Sequence, residues 1–291
     1  MINLDNQRTY GVEVEFISKE WSRQELIAKI NDHALSYNSD TLRMPTIHRA
    51  SWSDTTTSQW RIKTDSSVSD RRGFGLELVS PILNGNQDMT ILKIFLKILN
   101  ELHCDVNRTC GLHVHVGVRD WGVKQFKNLA KRYVKFETAI DTVMPHSRKK
   151  NNNQYCLSNA TARGQSFNFD TLQSIFDGIN SCRSAQQLKR YIQNGRYYKL
   201  NMESFWKHGT IEFRHHSGTI CPTKIENWVY VCMGMTKLAD TNRAVKVKST
   251  DVINTYKDKL SIFMNGLSKS GLIDSSVRRF YTKRARALCT S

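Results

Sequence analysis

A chain of 291 residues with 39% hydrophobic and 24% charged residues can bury a sizeable core, which argues against a largely disordered protein and fits one large domain or two small ones, the single domain being preferred. Forty-three Lys and Arg against 26 Asp and Glu leave a formal charge of +17; that charge favours polyanions, nucleotides or an acidic substrate without choosing among them. Seven scattered cysteines contain no CxxC pair, the start MINLDNQRTYGVEVEF lacks a charged leader before an apolar run, and no stretch is long enough to span a bilayer, so a reducing cytoplasm is the expected setting.

In chain order, TYGVEVEFI alternates as a strand, with Val12, Val14 and Phe16 on one face and Gly11, Glu13 and Glu15 on the other. SRQELIAKINDHAL follows with helical spacing behind Ser22 as N-cap. TIHRASW, SQWRIKTD and GFGLELVSPIL then read as strands, the last placing Glu77 opposite a face of Phe74, Leu76 and Leu78. DMTILKIFLKILNEL predicts a mostly buried helix, LHVHVGV a strand, and VKQFKNLAKRYVKFETAIDTVM a long amphipathic helix stopped by Pro145.

The polar, aperiodic stretch from His146 to about residue 169 predicts a long mobile loop. Two short helices come next, then RYYKLNMESFW and GTIEFRHHSGTI as strands, and helix from Pro222 to a strongly basic end. Several strands are joined by connections too short for a parallel crossover, so the class is α+β with a largely antiparallel sheet. We expect a main domain over residues 1–245 and a basic helical extension over 246–291, packed on that domain.

Four of these strands carry acids, imidazoles or a guanidinium at alternate positions opposite their aliphatic face: Glu13/Glu15, Glu77, His113/His115 and Glu212/Arg214. Packing against helices explains the aliphatic face but does not ask for charged groups at the centre of the other. If the strands are neighbours, their polar faces line one basin whose carboxylates repel one another unless a cation is present. Oxygen donors with one or two imidazoles favour Mg²⁺ or Mn²⁺, and Arg214 beside such ions suggests a phosphate.

The ordered set YGVEVEF, LELVSPIL, CGLHVHVGV and HGTIEFRHHSGT, over residues 10–219, resembles the amidoligases of phages and bacteria, related to glutamine synthetase and glutamate-cysteine ligase. The resemblance implies a curved, mainly antiparallel sheet with helices on one face and ATP held between metal ions. It also implies ATP-dependent joining of a carboxylate to an amine through an acyl phosphate. By the same resemblance, Glu13, Glu15, Glu77, His113 and Glu212 bind metal, His115 lies nearer the nucleotide, Arg214 contacts the transferring phosphate, and Arg148 in PHSRKKNNNQYC binds phosphate or carboxylate. Asp65 and Ser66 in WRIKTDSSVS resemble the family's Asp-x-Ser, for substrate placement or a turn. No glycine-rich phosphate loop is present.

Two other readings use parts of this pattern. A histidine-hydrophobic-histidine strand also serves nucleases that nick single-stranded DNA with a tyrosine, for which Tyr133 is the candidate; that chemistry leaves Glu13, Glu15, Glu77 and the EFR strand without a purpose. A non-catalytic, basic nucleic-acid-binding protein would use the charge alone.

Overall fold

The computed structural model describes residues 2–51, 53–54, 58–160, 169–241, 245–248 and 256–289. Among the described residues there are seven strands: β1 Tyr10–Ser18, β2 Ile47–Arg49, β3 Trp60–Thr64, β4 Phe74–Val79, β5 Gly111–Gly117, β6 Leu200–Asn201 and β7 Thr210–Ser217. The helices are α1 Arg23–Leu35, α2 Gly85–Glu101, α3 Val123–Asp141, α4 Phe169–Ser181, α5 Ala185–Ile192, α6 Ser204–His208, α7 Pro222–Ala239, α8 Tyr256–Ser268 and α9 Ser275–Cys289. The strands form one mixed, open sheet in the order β2-β3-β4-β1-β5-β7-β6, so the class is α+β. Two compact units divide the chain: Asn3–His115 with His216–Val229, called the N-terminal unit below, and Val116–His215 with Met1–Ile2 and Tyr230–Ser291, the C-terminal unit.

Register in the N-terminal unit follows from the alternation in its sequence. β1 and β4 run antiparallel with Val14 opposite Leu78 and Phe16 opposite Leu76, and β3 adds Ile62 opposite Leu78. These five side chains are wholly buried. Leu92, Phe95 and Leu96 of α2 and Leu26 and Ile30 of α1 are equally buried, and Trp60 meets Phe95 at 5.0 Å between ring centroids. Each such side chain contributes about 1.5–3 kcal/mol relative to exposure. A one-residue slip would turn this whole set to the opposite face, so the packing fixes which side of β1 and β4 carries glutamates.

Helix α1 starts where expected. Ser22 accepts from the backbone N–H of Glu25 while the Glu25 carboxylate accepts from the Ser22 N–H, a reciprocal capping box. The first difference from expectation is β2, a three-residue strand that pairs parallel to β3 although only residues 50–59 join them. A stub this short needs no helical crossover, because Asn31 of α1 holds it by bonds to both the N–H and the C=O of Ile47.

The C-terminal unit is built on α3, whose Phe126, Leu129, Ala130, Tyr133, Val134 and Ile140 are buried at i, i+3, i+4 spacing. Trp121, Phe126 and Phe205 stack edge to face, Phe136 meets Phe263 of α8 at 5.2 Å, and Val134 packs with Leu172 and Phe176 of α4. The expected strand over 196–206 shrinks to Leu200–Asn201. Asn201 Oδ1 accepts the Glu203 N–H at 2.8 Å, bending the chain into α6. Helix from Pro222 onward is broken after Ala239 and again before Asp274, which caps α9 by accepting from Ser276 and Val277.

In its described part the 146–169 stretch holds a 3-10 turn over His146–Arg148; Arg148, Cys156, Ser158, Asn159 and Ala160 are buried, whereas Lys150, Asn151, Asn152, Gln154 and Tyr155 are exposed. Residues 161–168 lie outside the described residues, as do 249–255 and 290–291 of the C-terminal extension.

At Gly75, a side-chain Cβ would come within 2.4 Å of the Val68 carbonyl oxygen and 2.8 Å of that of Asp65. Both are backbone atoms with little freedom to yield. Gly75→Ala should therefore lower stability by about 1–3 kcal/mol, read as a reduced urea midpoint at unchanged slope.

Candidate active site

The polar face of the N-terminal unit's sheet is set by the same register. Glu15 lies opposite Glu77, and Lys63 of β3 opposite Glu77 on its other side. On β5, Leu112, Val114 and Val116 are fully buried, which turns His113 and His115 to the other face. His113 bridges the first-strand glutamates, with Nδ1 3.1 Å from Glu13 Oε2 and Nε2 3.6 Å from Glu15 Oε1. His115 Nε2 is 3.6 Å from Glu13 Oε1. Glu15 also accepts the Gly111 N–H at 2.5 Å.

Two groups of donors in this unit have the spacing to share an ion: Glu13, Glu77 and His113, and Glu15, Asp65 and Glu77, each with ligand atoms within 4.8 Å of one another. Glu77 is common to both. The donors are carboxylate oxygens with imidazole nitrogen, which suits Mg²⁺ or Mn²⁺ and not a thiolate-selecting metal.

Electrostatics separate these acids. Burial raises Glu77 well above the usual carboxylate range, and the charges of Glu13, Glu15 and Asp65 push it further, with Lys63 opposing. Burial would raise Glu13 too, but hydrogen bonds from His113 and His115, together with their charge, hold it well below that range. A divalent cation would offset the mutual repulsion that adds to burial in raising Glu77.

Glu212, Arg214 and Arg148 all belong to the C-terminal unit. On β7, Arg214 donates to Glu212 Oε1 at 2.5 Å, and its guanidinium lies 5.8 Å from the Tyr197 ring. Arg148 is 3% exposed. Its positive charge acts on the Cys156 thiol, whose Sγ lies 3.3 Å from the Arg214 carbonyl. Burial pushes that thiol up against the pull of Arg148 and Lys199.

Beneath them is an ion cluster. Lys199, wholly buried, places Nζ 2.8 Å from Asp141 Oδ1 and 3.1 Å from Glu137 Oε1, and His215 Nε2 is 2.7 Å from the same Asp141 oxygen. Glu137 Oε2 accepts the N–H groups of Asn159 and Ala160, Asp141 Oδ2 that of Lys150, and the Arg214 N–H donates to the Lys199 carbonyl. Burial opposes charge on Lys199, yet Glu137 and Asp141 raise it above its ordinary value. Asp141 is held well below the carboxylate range, burial being outweighed by His215 and Lys199. The cluster ties the Arg148 segment, α3 and β7 together.

Residues 6–236 match the family model described as "Putative amidoligase enzyme". The chain belongs to this amidoligase family. No curated protein matches it. Among solved structures it is similar to the complex between the prokaryotic ubiquitin-like protein Pup and its ligase PafA, at 8% identity and a TM-score of 0.40, over 98% of this chain and 64% of that chain. The amidoligase chain thus spans a little under two thirds of the length of the matched one.

For this amidoligase-family chain, the geometry removes the nuclease reading. Tyr133 is wholly buried, with its hydroxyl 2.9 Å from His215 Nδ1, and burial raises its ionisation well above the usual tyrosine value. It is a core residue and reaches no DNA strand.

Other site residues carried weak sequence signals. Asp65 joins the Glu15/Glu77 group, and its serine partner is Ser67, through both N–H and hydroxyl, not Ser66. Glu137 and Asp141 escaped notice although they follow Tyr133 at steps of four, which stacks all three on the buried stripe of α3. Lys199 gave no signal among apolar neighbours.

Lys199→Met should destabilise the protein by about 3–5 kcal/mol, because it strands two buried carboxylates. Asp141, with its folded pKa depressed, contributes stability that is present above its unfolded value near about 3.9 and is lost as pH falls through that value towards the folded one. Asp141→Asn should accordingly flatten the acid limb of a thermal-midpoint profile measured between about pH 5 and 2.

Proposed function

We propose that the protein is an ATP- and Mg²⁺-dependent carboxylate-amine ligase that works through an acyl phosphate. The observation that carries this reading is the convergence of Glu13, Glu15, Asp65, Glu77 and His113 on one sheet face with donor atoms within 4.8 Å in two groups. Membership of the amidoligase family supports the reaction class. A solvated sheet face would not bury Glu15 and His113 to a few per cent exposure.

In this reading Glu13, Glu15, Glu77 and His113 would hold Mg²⁺ or Mn²⁺, Asp65 would complete the Glu15/Glu77 group, Glu212 would serve as a further metal-binding group, and His115 would lie towards the nucleotide. When bound, such ions screen polyphosphate charge and orient the terminal phosphoryl group. Arg214 serves the charge on that group as it moves from ATP to a carboxylate oxygen, releasing ADP. Arg148 serves the phosphate of the resulting acyl phosphate. An amine nitrogen then attacks the carbonyl carbon, the bond to phosphate breaks, and amide, inorganic phosphate and a proton are the products. No protein nucleophile is required.

The positive charge of the chain favours an acidic acceptor or a nucleic-acid-linked substrate. The catalytic part is taken as residues 1–245, consistent with a family match ending at 236, and 246–291 as a helical extension. No described helix is long and apolar enough to cross a membrane. The free thiols suit a reducing cytoplasm.

Pools of carboxylates and amines, incubated with ATP and Mg²⁺, test the proposal. A product whose mass is the sum of two reactants less one water, with ADP released only when both are present, is expected. Absence of any ATP-dependent coupling across chemically broad pools, in protein shown to bind Mn²⁺, would count against it. Glu15→Gln and His113→Ala should abolish most metal-dependent turnover while far-ultraviolet circular dichroism is retained. Arg214→Lys should lower kcat about 100-fold or more, since an ammonium cannot reproduce a two-pronged phosphate contact.

A further inference from the structure

The two-residue strand β6 places Asn201 directly across from Glu212 in an antiparallel pair. Asn201 Nδ2 is 2.7 Å from Glu212 Oε2, while Glu212 Oε1 faces Arg214. Both residues are buried, at 3% and 5% exposure. A carboxylate held on each oxygen by a separate donor has its plane and rotamer fixed, which is what an ion-binding group needs before an ion arrives.

The direction of the Asn201 amide is not arbitrary. A backbone N–H can only donate, and the Glu203 N–H points at Asn201 Oδ1 at 2.8 Å. Gln193 Nε2 reaches the same oxygen at 2.9 Å. The Gln193 amide is oriented in the same way: its Oε1 accepts the Met202 N–H at 2.7 Å, and its Nε2 also donates to the Gly195 carbonyl at 2.8 Å. Two backbone N–H groups and one carbonyl therefore impose a single polarity along the chain Met202, Gln193, Asn201, Glu212. Nδ2 of Asn201 must face the carboxylate.

The bond from the Glu203 N–H to Asn201 Oδ1 serves the turn into α6, but that role does not require the amide nitrogen to face a carboxylate. An apolar cross-strand pair would fill the space without desolvating two amides and a carboxylate. We propose that Asn201, oriented by Gln193, is a positioning residue that presents the Glu212 carboxylate in one fixed geometry to a divalent cation. This rests on the reading of Glu212 as a metal-binding group given above.

The test is Mn²⁺ affinity, measured by titration calorimetry on folded protein without nucleotide, in a cycle of Asn201→Ala, Glu212→Gln and the double variant, with thermal midpoints recorded separately. Asn201→Ala should weaken Mn²⁺ binding about 10–100-fold in the native background and have no further effect in the Glu212→Gln background. Gln193→Ala, which leaves the Asn201 side chain but releases its orientation, should weaken binding in the same direction by a smaller factor, and it carries the test if Asn201→Ala does not fold. Should Glu212→Gln weaken Mn²⁺ binding while Asn201→Ala and Gln193→Ala do not, the positioning role is overturned and the metal reading of Glu212 stands. A Glu212→Gln variant that binds Mn²⁺ like the native protein overturns both. An equal loss from Asn201→Ala with and without Glu212 also overturns the positioning role, since the effect then runs through another group.

Discussion

Carboxylates set within a few ångströms of one another at a partly buried face repel, and the N-terminal unit is arranged around that repulsion. Glu13, Glu15, Asp65 and Glu77 converge on one sheet face because α1 and α2 claim the other face for Val12, Val14, Phe16, Leu76 and Leu78. The protein relieves the repulsion only in part. His113 lies between Glu13 and Glu15, the Gly111 N–H meets Glu15, and Lys63 stands beside Glu77. Glu77 is left well above the usual carboxylate range, by burial first and then by the charges of Glu13, Glu15 and Asp65.

The C-terminal unit meets the same problem differently. Glu137 and Asp141 are as deeply buried as Glu15, but the cation between them is the protein's own, Lys199 Nζ, with His215 as a further partner. Removing either partner would expose the cost of burying the other, so the cluster acts as a clamp. What it clamps is informative: backbone groups of Lys150, Asn159 and Ala160 on one side and of Arg214 on the other. A satisfied cluster of this kind fixes geometry, whereas the face of the other unit leaves its carboxylates incompletely neutralised.

Much of the fold was legible because period-2 alternation and the apolar faces of α1, α2 and α3 are local signals. Glu13, Glu15, Glu77, His113 and His115 could be placed on one side of their strands for the same reason. What was misread depended on contacts distant in sequence. Tyr133 looked like an available hydroxyl until α3 was seen to carry it inward against His215. The RYYKLNMESFW segment looked like a strand, yet Asn201 turns it with its own side chain and leaves only two residues to pair. β2 lies parallel to β3 because Asn31 of α1 holds it there.

Alternation in the sequence determined which residue types share a face, and the ordered motifs determined the family. It did not determine which carboxylates meet. Whether Asp65 joins Glu15 and Glu77 depends on the close backbone approach at Gly75, and whether Glu137 and Asp141 are a liability or a clamp depends on Lys199 arriving from some sixty residues away. Charge-charge energies vary steeply with distance and with exclusion of water, and both quantities exist only once the chain has folded.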